Sequence, residues 1–300
     1  MNKWLTTPNR YGTIVVILLM EVMMDIVFLG ILGYQPWRHK HTSCIMIPEY
    51  GIVLDAGTGF HLVREHIKSS RLDIFLSHLH DDHICGSLYQ LGVLYKKGVR
   101  RVALYGRRGI EAFFCKRQFA YPRFPVDIPS HEKILNATFG FYPVFQEQSQ
   151  WTMAQSGLRY IVSAFRLPHP SGGSLAYDFL VGGKRIAYVT DTTLDIHNKR
   201  VRRFARALQK GQKLDLLIAE CNFANRHEAL ARFTGHTFPD VLVEFLKEVQ
   251  PQQAVLTHLH PHSDEFGSDF FGEDRIAFQE VQNGYGKQVS LARQEMMLAL

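Results

Sequence analysis

A chain of 300 residues, 46% of them hydrophobic, can bury a sizeable core, and 21% charged residues with no low-complexity tract exclude an extended disordered protein. The net charge of +6 is a mild basic excess that suits an anionic substrate such as a phosphate ester and only weakly points to nucleic acid. Its four cysteines, Cys44, Cys85, Cys115 and Cys221, form no CxxC pair, which argues against a disulfide framework and for reduced thiols in a cytoplasmic protein.

Residues 14–20 read IVVILLM and follow Lys3 and Arg10, the beginnings of a leader or anchor. Glu21 and Asp25 interrupt the run before it reaches the roughly 18 apolar residues that a membrane span needs. Residues 1–22 therefore read as an extension, whether disordered, helical or the product of an upstream start codon, with a membrane anchor as the alternative. The folded unit is expected over residues 23–300, with no stable membrane association.

Short apolar strand candidates then recur: Ile26–Leu29, Ile52–Leu54, Ile74–Leu76, Val102–Tyr105, Ile161–Ala164, Ile186–Val189, Leu216–Ile218 and Ala254–Leu256. Several are continuous rather than alternating, as strands covered on both faces require. Helical patterns lie over Asn198–Lys210 and Phe238–Val249. No linker or repeat divides the chain, so a single α/β domain of sheets flanked by helices is expected.

Polar chemistry follows the strands. Ile74–Leu76 leads into Ser77-His78-Leu79-His80-Asp81-Asp82-His83, an HxHxDH pattern with three imidazoles and a carboxylate. That donor mixture suits Zn²⁺, Mn²⁺ or Fe. His78 and His80 can serve one ion, and Asp82 and His83 a second. Each ion needs about three protein ligands and an open position, so others must come from elsewhere. His169, in Leu167-Pro168-His169-Pro170, and Asp191 and His258, each after a strand candidate, are the available donors. The two carboxylate oxygens of Asp191 could bridge two ions.

These residues resemble the motifs of the metallo-β-lactamase superfamily. Asp55, in Leu54-Asp55-Ala56-Gly57-Thr58-Gly59, matches the first motif. His78, His80, Asp82 and His83 match the second, and His169, Asp191 and His258 the later three. The resemblance covers about residues 24–300 and implies a four-layer αββα sandwich with a dinuclear site at one edge. It implies that His78, His80 and His169 hold one ion, that Asp82, His83 and His258 hold the other, and that Asp191 bridges. It implies too that Asp55 keeps a ligand imidazole in its correct tautomer. The expected cofactor is two divalent ions, zinc or else manganese.

Aspartate at 191, where class B β-lactamases usually place cysteine, turns the resemblance away from antibiotic hydrolysis. The stretches from His169 to Tyr177 and from Ala187 to Thr192 are similar to the phosphodiesterase branch, which includes ribonuclease Z and the phosphoribosyl cyclic phosphodiesterases. Gly235-His236-Thr237 resembles that branch's additional histidine motif. The resemblance implies that His236, oriented by Glu220, contacts phosphate and protonates the leaving oxygen, while Asp82 serves the same catalytic centre. Ribonuclease Z usually carries a long tRNA-binding arm between the ligands matched by His169 and Asp191. Here that interval holds only a tight hairpin around Val181-Gly182-Gly183-Lys184. The expected reaction is hydrolysis of a small or cyclic phosphodiester by a hydroxide shared between the ions. The alternatives are a ribonuclease Z-like RNA endonuclease and a thioester or lactone hydrolase. RNA is a less favoured partner than a small diester, and a homodimer is left open.

Further features carry blander readings. Lys96-Lys97-Gly98-Val99-Arg100-Arg101 with Arg107-Arg108 reads as solvated loop ends or as a phosphate contact. The helix with Lys199, Arg200, Arg202, Arg203 and Arg206 reads as an amphipathic surface helix. Phe113, Phe114, Phe119, Tyr121 and Phe124 are read as core or as the lining of a substrate mouth.

Overall fold

The continuous apolar runs become the central strands of two seven-stranded sheets. The computed structural model describes residues 4–8, 14–18, 24–87, 97–135, 137–144, 148–155, 158–170, 172–286 and 288–300. Lys96 and most of the segment before Met24 lie outside these residues. Trp4–Pro8 (β1) and Ile14–Leu18 (β2) pair antiparallel as a separate ribbon.

The first sheet has the order β16-β3-β4-β5-β6-β7-β8. Its strands are Asp25–Gly30 (β3), Cys44–Ile47 (β4), Ile52–Leu54 (β5), Arg71–Phe75 (β6), Arg101–Arg107 (β7), Thr138–Val144 (β8) and Met296–Ala299 (β16). The second has the order β15-β14-β13-β12-β11-β10-β9. Its strands are Gln148–Gln155 (β9), Leu158–Leu167 (β10), Ser174–Val181 (β11), Lys184–Val189 (β12), Leu216–Glu220 (β13), Gln253–Thr257 (β14) and Val289–Leu291 (β15).

Phe28, Ile45, Leu54, Phe75 and Tyr105 of the first sheet pack between the layers on Val162, Tyr177, Phe179, Tyr188 and Val255 of the second. Outside the second sheet, Ala187, Val189 and Leu217 meet helices Lys199–Leu208, Pro239–Val249 and Glu273–Tyr285 through Phe204, Leu242, Phe245 and Val281. Outside the first, Val53, Ile74 and Leu104 meet Phe60, Val63, Ile110, Phe114 and Phe119. Four layers result, helix–sheet–sheet–helix, because both faces of each central strand are apolar. The middle of the aromatic run is thus core: Phe114 and Phe119 are buried, whereas Tyr121 is 91% exposed.

Direction places the chemistry. β5, β6 and β7 run parallel, as do β12, β13 and β14. β10 shares the direction of β12, since β11 is antiparallel to both. The carboxyl ends of β5, β6, β10, β12, β13 and β14 therefore open onto one edge of the sandwich. The β11–β12 turn is as short as expected: Val181 pairs with Lys184, and Gly182 and Gly183 take φ of 57° and 77°. Positive φ at both central residues is the hairpin turn that matches strand twist. Among the described residues, no helix is long and apolar enough to cross a membrane.

Candidate metal centre

The loops at that edge converge on Asp191. Its Oδ2 lies 3.1 Å from His83 Nε2 and 3.2 Å from His258 Nε2. Asp82 Oδ2 lies 3.3 Å from His83 Nε2 and 3.4 Å from His258 Nε2, and the two imidazole nitrogens are 3.2 Å apart. Four donors around a tetrahedral ion with bonds of about 2.0–2.1 Å stand ~3.4 Å from one another, so this set has the spacing of a coordination shell. The other oxygen, Asp191 Oδ1, lies 3.8 Å from both His78 Nε2 and His169 Nε2. His78, His80, His169 and Asp191 form one compact group of donors; Asp82, His83 and His258 form another.

The donor atoms are presented for a cation. His78 is 3% exposed, and its Nε2 is buried with no hydrogen-bond partner. A buried polar atom without a partner is costly, and an ion would satisfy it. His83 Nδ1 is 2.8 Å from Asp55 Oδ2, and His169 Nδ1 is 3.2 Å from the Gly235 carbonyl oxygen. With Nδ1–H donating in each, Nε2 keeps its lone pair for the centre. The residues fit a pair of divalent ions.

Charge balance follows the same geometry. Burial would raise the Asp191 carboxyl, yet His258, His83 and His78 hold it well below the usual range. Asp82 is likewise lowered against burial, chiefly by His83 and His258. Burial and His83 push His78 down, so it is neutral. His83 is raised despite burial because Asp82, Asp191 and Asp55 surround it. The cluster thus draws positive charge to its centre.

Asp55 is fully buried and collects four contacts. Ser77 N–H donates to Oδ1 at 2.7 Å, and Ser77 Oγ donates to Oδ2 at 2.8 Å. Tyr188 Oη donates to Oδ2 at 2.6 Å, where His83 also bonds. On the other flank, Glu220 Oε2 is 2.7 Å from His236 Nδ1, while Oε1 accepts the Thr192 N–H at 2.8 Å. Burial would lower His236, but Glu220 raises it to about 9. His236 Nδ1 is 3.9 Å from Asp191 Oδ1. The candidate site residues named from the sequence, Asp55, His78, His80, Asp82, His83, His169, Asp191, Glu220, His236 and His258, thus lie together at this one edge.

Four contributors carried no signal in the sequence. Tyr34 N–H donates to Asp82 Oδ2 at 2.8 Å from an exposed loop. Asn222 Nδ2 donates to the His258 carbonyl at 2.9 Å. Ser77 and Tyr188 hold Asp55. Ser77 and Tyr188 lie within stretches already quoted from the sequence, but their hydroxyls alone would not mark them as partners of Asp55.

A β-lactamase superfamily domain model matches residues 50–259. The ribonuclease Z of Brevibacillus brevis is 24% identical over 260 residues, covering 74% of this chain and 78% of that protein. Among solved structures, yeast PDE1 superposes with a TM-score of 0.68 at 14% identity, covering 93% of this chain and all of that one. The short form of human tRNase Z does so with a TM-score of 0.62 at 20% identity, covering 92% and 98%. The structural likenesses carry the fold; the domain match, which spans more than half of the chain, carries the family. The chain belongs to the metallo-β-lactamase superfamily and is a metal-dependent hydrolase.

Proposed function

We propose that the protein hydrolyses a small or cyclic phosphodiester at a centre of two divalent ions, zinc or manganese. His78, His80 and His169 would hold one ion and Asp82, His83 and His258 the other, with Asp191 shared. The observation that carries the reading is the split of the Asp191 carboxylate, Oδ2 towards His83 and His258 and Oδ1 towards His78 and His169. When bound, such ions supply an acidified water as nucleophile and neutralise charge on the phosphoryl oxygens.

The chain's own groups do the rest. Asp82 and Asp191 fix the negative side of the centre. Glu220 accepts a hydrogen bond from Nδ1–H of His236, which leaves the Nε2 proton as the transferable one. An imidazole raised to about 9 is protonated at neutral pH and suits a general acid for a leaving alkoxide. A lactone or thioester makes less demand on such an acid. His236→Ala should therefore lower kcat by roughly 10²–10⁴ on an alkyl phosphodiester and far less on a lactone. Equal losses on both substrates would remove His236 from the acid role.

RNA cleavage is the second reading, favoured by relatives named ribonuclease Z. The two-residue β11–β12 turn favours the small diester.

A further inference from the structure

Tyr34 takes a left-handed backbone, with φ of 62°. A bulky side chain makes that conformation costly, whereas glycine adopts it freely. The conformation has a use: it brings the Tyr34 N–H to Asp82 Oδ2 at 2.8 Å. Glycine at this position would deliver the same N–H at lower cost, so the backbone does not account for the ring. Packing does not account for it either. Tyr34 is 76% exposed, and among the described residues its ring meets no other ring and its hydroxyl makes no hydrogen bond. An apolar ring left in water adds nothing to stability. A strained residue whose side chain returns nothing to the fold points to function.

The surrounding chain fixes where that ring starts. Gly33 N–H donates to the Leu259 carbonyl at 3.0 Å, and Leu259 N–H donates to the Ile31 carbonyl at 2.8 Å. A Cβ on Gly33 would fall 2.3 Å from His258 Cε1 and 2.9 Å from Asn222 Nδ2, so the loop lies directly on a candidate ligand imidazole. Further along, Trp37 meets His262 edge-on with ring centroids 5.6 Å apart, and Lys40 pairs with Asp264. Residues 31–40 are thus clamped to the segment after β14, and Tyr34 stands on that clamp at the rim of the centre.

The two flanks of the centre differ. Tyr34 N–H meets Asp82 Oδ2, which lies with Asp191 Oδ2 beside His258 Nε2, at 3.4 and 3.2 Å. His236 stands by the other oxygen, with Nδ1 3.9 Å from Asp191 Oδ1. An acid on the Oδ1 flank draws the leaving oxygen to that side. The substituent that stays on phosphorus then lies towards Oδ2 and Tyr34.

We propose that Tyr34 is a specificity-determining residue, whose ring stacks on a planar, apolar substituent that stays on the phosphorus. The assignment rests on the phosphodiesterase reading. It narrows the substrate from any small diester to one with an aromatic or heteroaromatic group beside the scissile bond. Offset stacking needs only a flat π-face on each partner.

The test compares two diesters with the same leaving group, bis-p-nitrophenyl phosphate and methyl p-nitrophenyl phosphate, on metal-loaded protein. Tyr34→Gly keeps the N–H and relaxes the backbone. It should raise KM for the aromatic diester about tenfold relative to the methyl diester, the size of a lost stacking contact. Tyr34→Phe keeps the flat face and should keep the wild-type ratio. An unchanged ratio in Tyr34→Gly, or an equal rise in KM on both diesters, would overturn the proposal. Calorimetric titration supplies a readout without turnover. Phenylphosphonate should bind wild type about tenfold more tightly than Tyr34→Gly, whereas methylphosphonate should bind the two alike. Tyr34-dependent binding of phenylphosphonate by a protein that hydrolyses no phosphodiester would support the ring's role and sink the phosphodiesterase reading. Hydrolysis and binding that do not depend on Tyr34 would sink the ring's role and leave that reading standing.

Discussion

Asp55 and His258 directly follow a strand and Asp191 lies two residues past one, and each takes a left-handed backbone, with φ of 58° for Asp55, 52° for Asp191 and 54° for His258. For residues with a Cβ that costs on the order of 1–3 kcal/mol each, and it persists only where the surroundings over-determine it. The surroundings do so here. Asp55 is held by Ser77, His83 and Tyr188, and His258 by Asn222. Asp55→Asn keeps the size of the side chain but replaces an accepting oxygen with a donor. Metal affinity should fall by roughly 10–100-fold, read by competition with a chromogenic chelator, with unchanged far-UV circular dichroism. Unaltered affinity would mean that His83 needs no orientation by Asp55. The candidate donors of the first loop were legible because histidine and aspartate crowd a short stretch after a strand. Tyr34 and Asn222 were not, and Tyr188 was only as part of a strand-end stretch: their roles come from tertiary contacts that local sequence does not show.

Among the elements, the buried parallel strands were the most legible. Their apolar runs are continuous, and β6 ends only one residue before its expected limit. The β1–β2 ribbon and strands β4, β8, β9, β15 and β16 had no candidate, while β11 was implied only by the expected hairpin. β15 and β16 have only three and four residues and are ordered by their neighbours, and β8 is half exposed. Helix Glu273–Tyr285 was missed too, because its apolar positions are sparse, yet it packs beside the centre. Its Asp274 accepts the His260 N–H at 3.0 Å, and burial pushes its carboxyl up to about 7. The unfolded carboxyl ionises near its ordinary 3.8. Between these values the folded state binds the extra proton, so this residue's contribution to stability falls as pH rises from about 4 to 7. Asp274→Asn should keep the hydrogen bond and remove that slope. It should gain on the order of 2 kcal/mol over wild type on going from pH 5 to pH 8, measured by urea unfolding. A difference that does not change with pH would contradict the raised value.

Across the whole molecule, hydrogen bonds tie the two sheets at both ends. Tyr160 Oη donates to Asp73 Oδ2 at 2.7 Å, where Arg71 also pairs with Asp73 and burial raises the carboxyl. At the centre's end, Tyr177 Oη donates to the Leu76 carbonyl at 2.7 Å and Tyr188 Oη to Asp55. The sandwich is thus fixed in register where the donors must meet. This explains how residues from β5, β6, β10, β12 and β14 hold separations near 3 Å across two layers. The layered class was readable from continuous strands, whereas the tyrosine ties depend on which side chains face inward across the sheets. The most direct test of the centre is hydrolysis of bis-p-nitrophenyl phosphate by metal-stripped protein during titration with Zn²⁺ or Mn²⁺, with bound metal measured in parallel. The expected result is negligible activity without metal, recovery that saturates at two ions per chain, and loss of both binding and activity in Asp191→Ala. Full activity in the metal-free protein would contradict it.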